Sequence, residues 1–402
     1  DTADYRQIDP GFGTEAEFRR LTEEAARRGI RVVIDASFNH TGRDSLYFDR
    51  YAKYPSLGAL EGGEVRADSP YADWYRLNPS AADPDDRYVG WTGAKDLPEL
   101  NEASADFRRF VFGGRDGVTQ RWLDAGAAGW RMDVAPWVPD DFWRPWRQAL
   151  KAHRPDAVAI AETWFDSSKY FLGDMFDGTM NYVWRNAVLD IAAGGGVEAN
   201  YRNIELTREL YPVQALQASM NLLSTHDTAR SLWLLGDQGD DPAKAAEARR
   251  RYRLALFMQA TWPGAPTIFY GDEVGVTGGE DPDNRRTYPW PELGGRPDEA
   301  MLAEVRALIA MRRAHPILSR GELGAPLFAD ATALVVPRAH DGRRALVAVH
   351  NGTAARTLAL DLPAEFEGLT LTDPRTGRAA TVRDRRLTLT LEPMSGAALI
   401  QR

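Results

Sequence analysis

The chain has 402 residues, 44% hydrophobic and 27% charged, with a formal net charge of −9 and no cysteine. That length exceeds one ordinary domain and suits a large barrel carrying smaller modules. The acidic balance excludes nucleic acid and membrane as partners, because both call for basic patches or long apolar spans; the lack of thiols excludes disulfides and thiolate metal sites but assigns no compartment.

Thr14-Glu15-Ala16-Glu17 is a capping box, in which the Thr14 hydroxyl and the Glu17 carboxylate satisfy orphan backbone donors and so begin a helix. Phe18, Leu21 and Ala25 continue at helical spacing, Gly29 stops it, and Val32-Val33-Ile34 reads as a buried strand ending at Asp35. Residues 41–100 then lose all periodicity and are rich in Tyr, Trp, Asp, Pro and Gly, as expected of a functional insertion or a small subdomain. The helix–strand rhythm resumes with a helix over 117–125 and a strand over Gly129–Asp133. A helix over 140–152 precedes the strand Val158–Glu162, and further strands end near Asn181 and Asp227. A helix over 244–260 leads to the strand Pro266–Tyr270. An amphipathic helix from Asp298 to Ala314 places Leu302, Val305, Leu308 and Ile309 on one face.

Beyond residue 320 helices cease. Arg386–Leu391 alternates strictly, and Asp341-Gly342 and Asn351-Gly352 are hairpin-turn dipeptides, so the tail is read as an antiparallel β-sandwich. The expected organisation is a (β/α) barrel over 1–40 and 101–320, an inserted subdomain over 41–100, and the β-module over 321–402. Strands that alternate with helices pair in parallel and are buried on both faces. An open doubly wound sheet gives the same alternation, but carboxylates at the ends of so many strands favour a barrel, whose strand ends converge on one rim. Most of the twelve tryptophans are expected in the core, with a minority as stacking platforms.

Four strand-end segments, Asp35-Ala36-Ser37-Phe38-Asn39-His40, Gly129-Trp130-Arg131-Met132-Asp133, Ala161-Glu162-Thr163-Trp164 and Ser224-Thr225-His226-Asp227, resemble the four sequence regions of the α-amylase family of glycoside hydrolases. Leu97-Pro98-Glu99-Leu100-Asn101, and the stretch from Gly271-Asp272-Glu273 to Asp283-Asn284-Arg285-Arg286, resemble the neopullulanase, cyclomaltodextrinase and maltogenic amylase branch. The resemblance implies a (β/α)8 TIM barrel and a retaining hydrolase of α-glucosidic bonds in maltodextrins, cyclodextrins, starch or pullulan. It assigns Asp133 as nucleophile, Glu162 as acid/base and Asp227 as the third carboxylate, which holds sugar hydroxyls. His40 and His226 match a pair of histidines that hydrogen-bond the same sugar. Asp283 and Arg286 match residues binding glucose units on the non-reducing side, and Asn39 matches a position near structural calcium. No cofactor is implied for the chemistry.

Elementary chemistry agrees. Retaining glycosidases place two carboxylates about 5–5.5 Å apart, and neighbouring strands lie about 4.8 Å apart, a spacing that suits Asp133 and Glu162 on consecutive strands. Arg131, two residues before Asp133, faces the same side of its strand and keeps that carboxylate ionised. Glu162 must start protonated, and Trp164 nearby is expected to favour that form.

The sequence also departs from the branch. Val134-Ala135-Pro136-Trp137 replaces the usual Val-Ala-Asn-Glu, placing Trp137 on the acceptor side and leaving open the balance of hydrolysis against transfer. Phe165 stands where a histidine is common. In the family, Asp1–Tyr5 belongs to the loop after the second barrel strand, so the first two strands are expected from an upstream segment of the same gene product. The partners expected are an α-glucan and that segment, with a homodimer left open. Rival readings are a transglycosylase or isomerase using the same triad, and a non-catalytic binding relative, which would usually lack one of these carboxylates. A metal-dependent hydrolase would need clustered histidine ligands, and only His40 and His226 sit at strand ends.

Overall fold

Six short parallel strands carry the strand-end motifs in the computed structural model, which describes residues 1–402: β1 (Ile34–Ala36), β2 (Gly129–Met132), β3 (Val158–Ala161), β4 (Gly178–Thr179), β5 (Met220–Leu222) and β6 (Ala265–Thr267). The chain packs as two units, residues 1–163 with 169–179, and residues 164–168 with 180–402.

In the first unit the strands pair in the order β1-β2-β3-β4, all parallel. The capping box forms as read: Glu17 N donates to Thr14 Oγ1 at 3.3 Å, and Thr14 N donates to Glu17 Oε2 at 2.9 Å. The helix Glu15–Arg27 ends in a Schellman motif, with Gly29 N bonded to Ala26 O and Ile30 N to Ala25 O, both at 2.9 Å. Gly29 takes φ +72°, which a side chain would resist. Strand β1 begins at Ile34, not at Val32 as the apolar run suggested. It has a neighbour on one side only, and Ile30 and Val33 are exposed. The 41–100 insertion forms one two-stranded hairpin, Leu60–Glu61 with Glu64–Val65, and otherwise short turns around an aromatic core. Tyr47, Phe48, Trp74, Tyr75 and Tyr88 are buried there, with Phe48 edge-on to Tyr75 at 4.9 Å and to Tyr88 at 4.8 Å. Burying aromatics takes the place of the periodic core that this segment lacks.

In the second unit β5 pairs with β6. The ladder stops at Thr267, so Ile268–Tyr270 lies outside the strand expected there; β6 too has one neighbour, and Ile268 and Tyr270 are exposed. The helix Pro242–Thr261 is capped by Asp241, and the guanidinium of Arg312 caps its far end by donating to the carbonyls of Ala260, Trp262 and Gly264. Helix Glu299–Ala314 buries Met301, Val305, Leu308 and Met311, a face rotated from the one expected, since Ile309 is exposed. The tail is wholly antiparallel: one seven-stranded sheet and the pair Arg356–Asp361 with Arg386–Leu391. Ala333, Val335, Leu346 and Ala348 of the first share a core with Leu358, Leu360, Leu387 and Leu389 of the second. Of the tryptophans, Trp130, Trp143, Trp146, Trp184 and Trp262 are fully buried, whereas Trp137, Trp164 and Trp290 are exposed.

Candidate active site

The register of the first ladder sets two carboxylates side by side. Met132 of β2 is paired with Ala161 of β3, so Asp133 and Glu162 are the next residues on adjacent strands. Asp133 N donates to Ala36 O, and Glu162 N to Met132 O, both at 2.9 Å. Between them stands Arg131, paired with Asp35 of β1 and buried. Its Nη1 donates to Asp133 Oδ1 at 2.8 Å and to both oxygens of Asp35 at 2.9 Å, while Nη2 lies 3.0 Å from Glu162 Oε1. Burial works against the Arg131 charge, but Asp35 and Glu162 outweigh it and hold the guanidinium above its ordinary range.

Glu162 is 4% exposed, and its Oε2 accepts a 2.8 Å hydrogen bond from Val134 N. Val134 adopts φ 41°, ψ 42°, left-handed backbone that a β-branched residue avoids. The turn after Asp133 thus aims a backbone N–H at Glu162 through a strained residue, as backbones at functional sites often do.

His40 is buried in the same unit. Asn39 Nδ2 lies 3.0 Å from His40 Nδ1, and Trp91 stacks on the imidazole at 5.1 Å. Burial pushes the His40 pKa below its ordinary value, with Asp133 pulling the other way, which favours a neutral ring. Trp137, half-exposed, meets the edge of Trp91 at 5.7 Å. Trp91, in the insertion, gave no periodic or motif signal by which to single it out. Around Asn39, whose Nδ2 is engaged with His40, no group of three or more Asp, Glu, His or Cys side chains is placed to hold a metal ion.

The remaining candidates belong to the second unit. His226 Nε2 lies 3.4 Å from Asp227 Oδ2, and Asp227 N donates to Thr225 Oγ1 at 3.1 Å. Tyr182, its hydroxyl 3.2 Å from that same Thr225 oxygen, stacks on Trp164 with ring centroids 3.7 Å apart. Trp164 and Phe165 are both exposed. Asp283 and Arg286 form a two-pronged pair at 2.7 and 2.8 Å, and Gly279 N adds a 2.7 Å bond to Asp283. Arg286 and that backbone bond hold the Asp283 carboxyl below the usual carboxylate range.

Two strand-end carboxylates thus share one arginine beside a buried histidine. Residues 1–292 match the α-amylase catalytic-domain family, and the chain belongs to that family. The family implies a (β/α)8 TIM barrel, and solved relatives match it. The chain is 33% identical over 445 residues to an amylopullulanase from Thermoanaerobacter thermohydrosulfuricus, covering 100% of this chain and 30% of the relative. It is 35% identical over 406 residues to neopullulanase 2 from Thermoactinomyces vulgaris, covering 99% and 64%. Among solved structures it resembles the cyclic α-maltosyl-(1→6)-maltose hydrolase from Arthrobacter globiformis, ligand-free, with a TM-score of 0.82 and 29% identity over 100% of this chain and 82% of that one. The chain thus spans less than two thirds of the length of these curated relatives.

Proposed function

We propose that this chain carries the catalytic machinery of a retaining α-glucan hydrolase. The substrates are maltodextrins, cyclodextrins, starch or pullulan, cleaved at α-1,4 bonds and at α-1,6 bonds where the glucan has them. The observation that supports this best is the clamping of Asp133 and Glu162, on adjacent strands, by the single guanidinium of Arg131. In the first step the Asp133 carboxylate attacks the anomeric carbon as the leaving oxygen takes the proton of Glu162, giving a glycosyl ester. In the second, the Glu162 carboxylate takes a proton from water, whose oxygen displaces Asp133 and restores the acid. The resemblance gives Asp227, His40 and His226 the role of holding sugar hydroxyls, and Asp283 and Arg286 that of binding further glucose units. The names of the relatives, amylopullulanase and neopullulanase, support the substrate class.

The finer fold reading belongs to the same proposal: an insertion after the third barrel strand, a C-terminal β-sandwich, and two barrel strands from an upstream segment. The one-sided ladders of β1 and of β6 support the last point, since parallel strands are ordinarily covered. Transfer to a sugar acceptor instead of water is the second reading, favoured by the exposed indole of Trp137.

Reducing-sugar release from starch, pullulan and β-cyclodextrin, assayed side by side with the full-length protein, tests the proposal. Release from at least one glucan, abolished by Asp133→Asn, is expected. No release from any of them, or undiminished release by Asp133→Asn, overturns it.

A further inference from the structure

We infer that Asn284 is a positioning residue for the third carboxylate, gripping the turn that carries Asp227 by the carbonyls on either side of it. The inference rests on the role given to Asp227 above. Asn284 is fully buried, and its amide nitrogen donates to His226 O at 2.8 Å and to Thr228 O at 3.0 Å. Those are the carbonyls immediately before and after Asp227. Two acceptors converging on one point call for a group with two N–H bonds on a single atom, which a side-chain amide supplies.

The aim of Asp227 depends on this grip. Its carboxylate meets His226 Nε2 at 3.4 Å, longer than a strong charge-assisted bond, so the backbone sets its direction. Arg230 reinforces the same arrangement from the fully buried side. Its Nε donates to Asn284 O at 2.7 Å, and its Nη1 donates to Tyr270 O at 2.6 Å and to Asp272 Oδ1 at 3.0 Å. The guanidinium lies 4.0 Å from the centre of the Phe269 ring, and Arg230 N donates to Gly278 O at 2.9 Å. The Asp227 turn is therefore tied at several points to the 270–286 loop, whose Asp283 and Arg286 flank Asn284. The Oδ1 atom of Asn284 and the Nη2 atom of Arg230 are buried without partners.

The test compares Asn284→Asp, Asp227→Asn and the double variant on maltotriose. Asn284→Asp keeps the volume but turns the donors facing the two carbonyls into acceptors. It is expected to lower kcat about 10–100-fold with KM changed less than about threefold, because an interaction that strengthens in the transition state is lost. The double variant is expected within about threefold of Asp227→Asn alone, since residues acting through one another are not additive. Full multiplication of the two losses, or a kcat for Asn284→Asp within about threefold of the parent, overturns the inference. An active Asp227→Asn instead overturns the underlying role of Asp227. Should Asn284→Asp fail to fold, Asn284→Ser, with one hydroxyl donor, is read by the same assays. An intermediate kcat then supports the inference and an unchanged one overturns it.

Discussion

The Nη2 atom of Arg131 lies 3.0 Å from Oε1 of Glu162, while Nη1 of the same side chain bonds Asp133 at 2.8 Å. One cation thus serves the proposed nucleophile and acid/base together, and Asp35 as a third anion. Removing it with Arg131→Met leaves three carboxylates facing one another without a counter-charge. Stability is expected to fall by about 3 kcal/mol at neutral pH, the usual scale for breaking a buried ion pair from one side. The deficit should shrink as pH is lowered and the carboxylates take up protons, and kcat should fall at least about a hundredfold. Thermal melts of both proteins at pH 4 and pH 7 check the first expectation, and steady-state rates the second.

Glu162→Gln removes the proposed proton donor while keeping the side-chain shape. Maltodextrins, with poor leaving groups, are expected to lose about a thousandfold or more in rate, and an aryl maltoside with a very acidic phenol far less. Equal losses for the two substrates would take the acid role away from Glu162.

Trp137→Ala is expected to shift products from transfer towards hydrolysis while leaving donor-side affinity nearly unchanged. The indole is half-exposed and braced by Trp91, the arrangement of a platform for an acceptor sugar. Chromatography of the products from concentrated maltotriose measures this. An unchanged ratio removes Trp137 from the acceptor side.

Glu102, 4% exposed, has its pKa pushed up to about 7 by burial. An unfolded glutamate titrates near ~4.3. Between about pH 4.3 and 7 the folded chain keeps a proton that the unfolded chain has released, so stability falls as pH rises across that window. Glu102→Gln abolishes this loss. Its Tm should exceed that of the parent at pH 8 and match it at pH 4, as followed by circular dichroism. An equal difference at both pH values would show that Glu102 keeps ordinary acidity.

Much of the site was legible because it is written along the backbone. The capping box at Thr14 and Glu17, the apolar strands and the polar residue ending each are local patterns. The adjacency of Asp133 and Glu162 follows from parallel pairing of consecutive strands. The direction of Arg131 towards Asp133 follows from the two-residue repeat of a strand. Strand lengths were less legible: β1 and β6 are shorter than their apolar runs, because each ladder has a partner on one side only.

What only the tertiary structure decided are contacts between segments far apart in sequence. Arg131 reaches Asp35 across 96 positions, and Asn284 reaches His226 across 58. Trp91 covers His40 from within an insertion that has no periodicity to read. Such contacts depend on which loops meet once the chain is packed, and the short-range periodicities that mark helices and strands carry no record of that meeting. The sequence by itself determined which residues stand at the strand ends; the packing of loops against those ends decided what each of them touches.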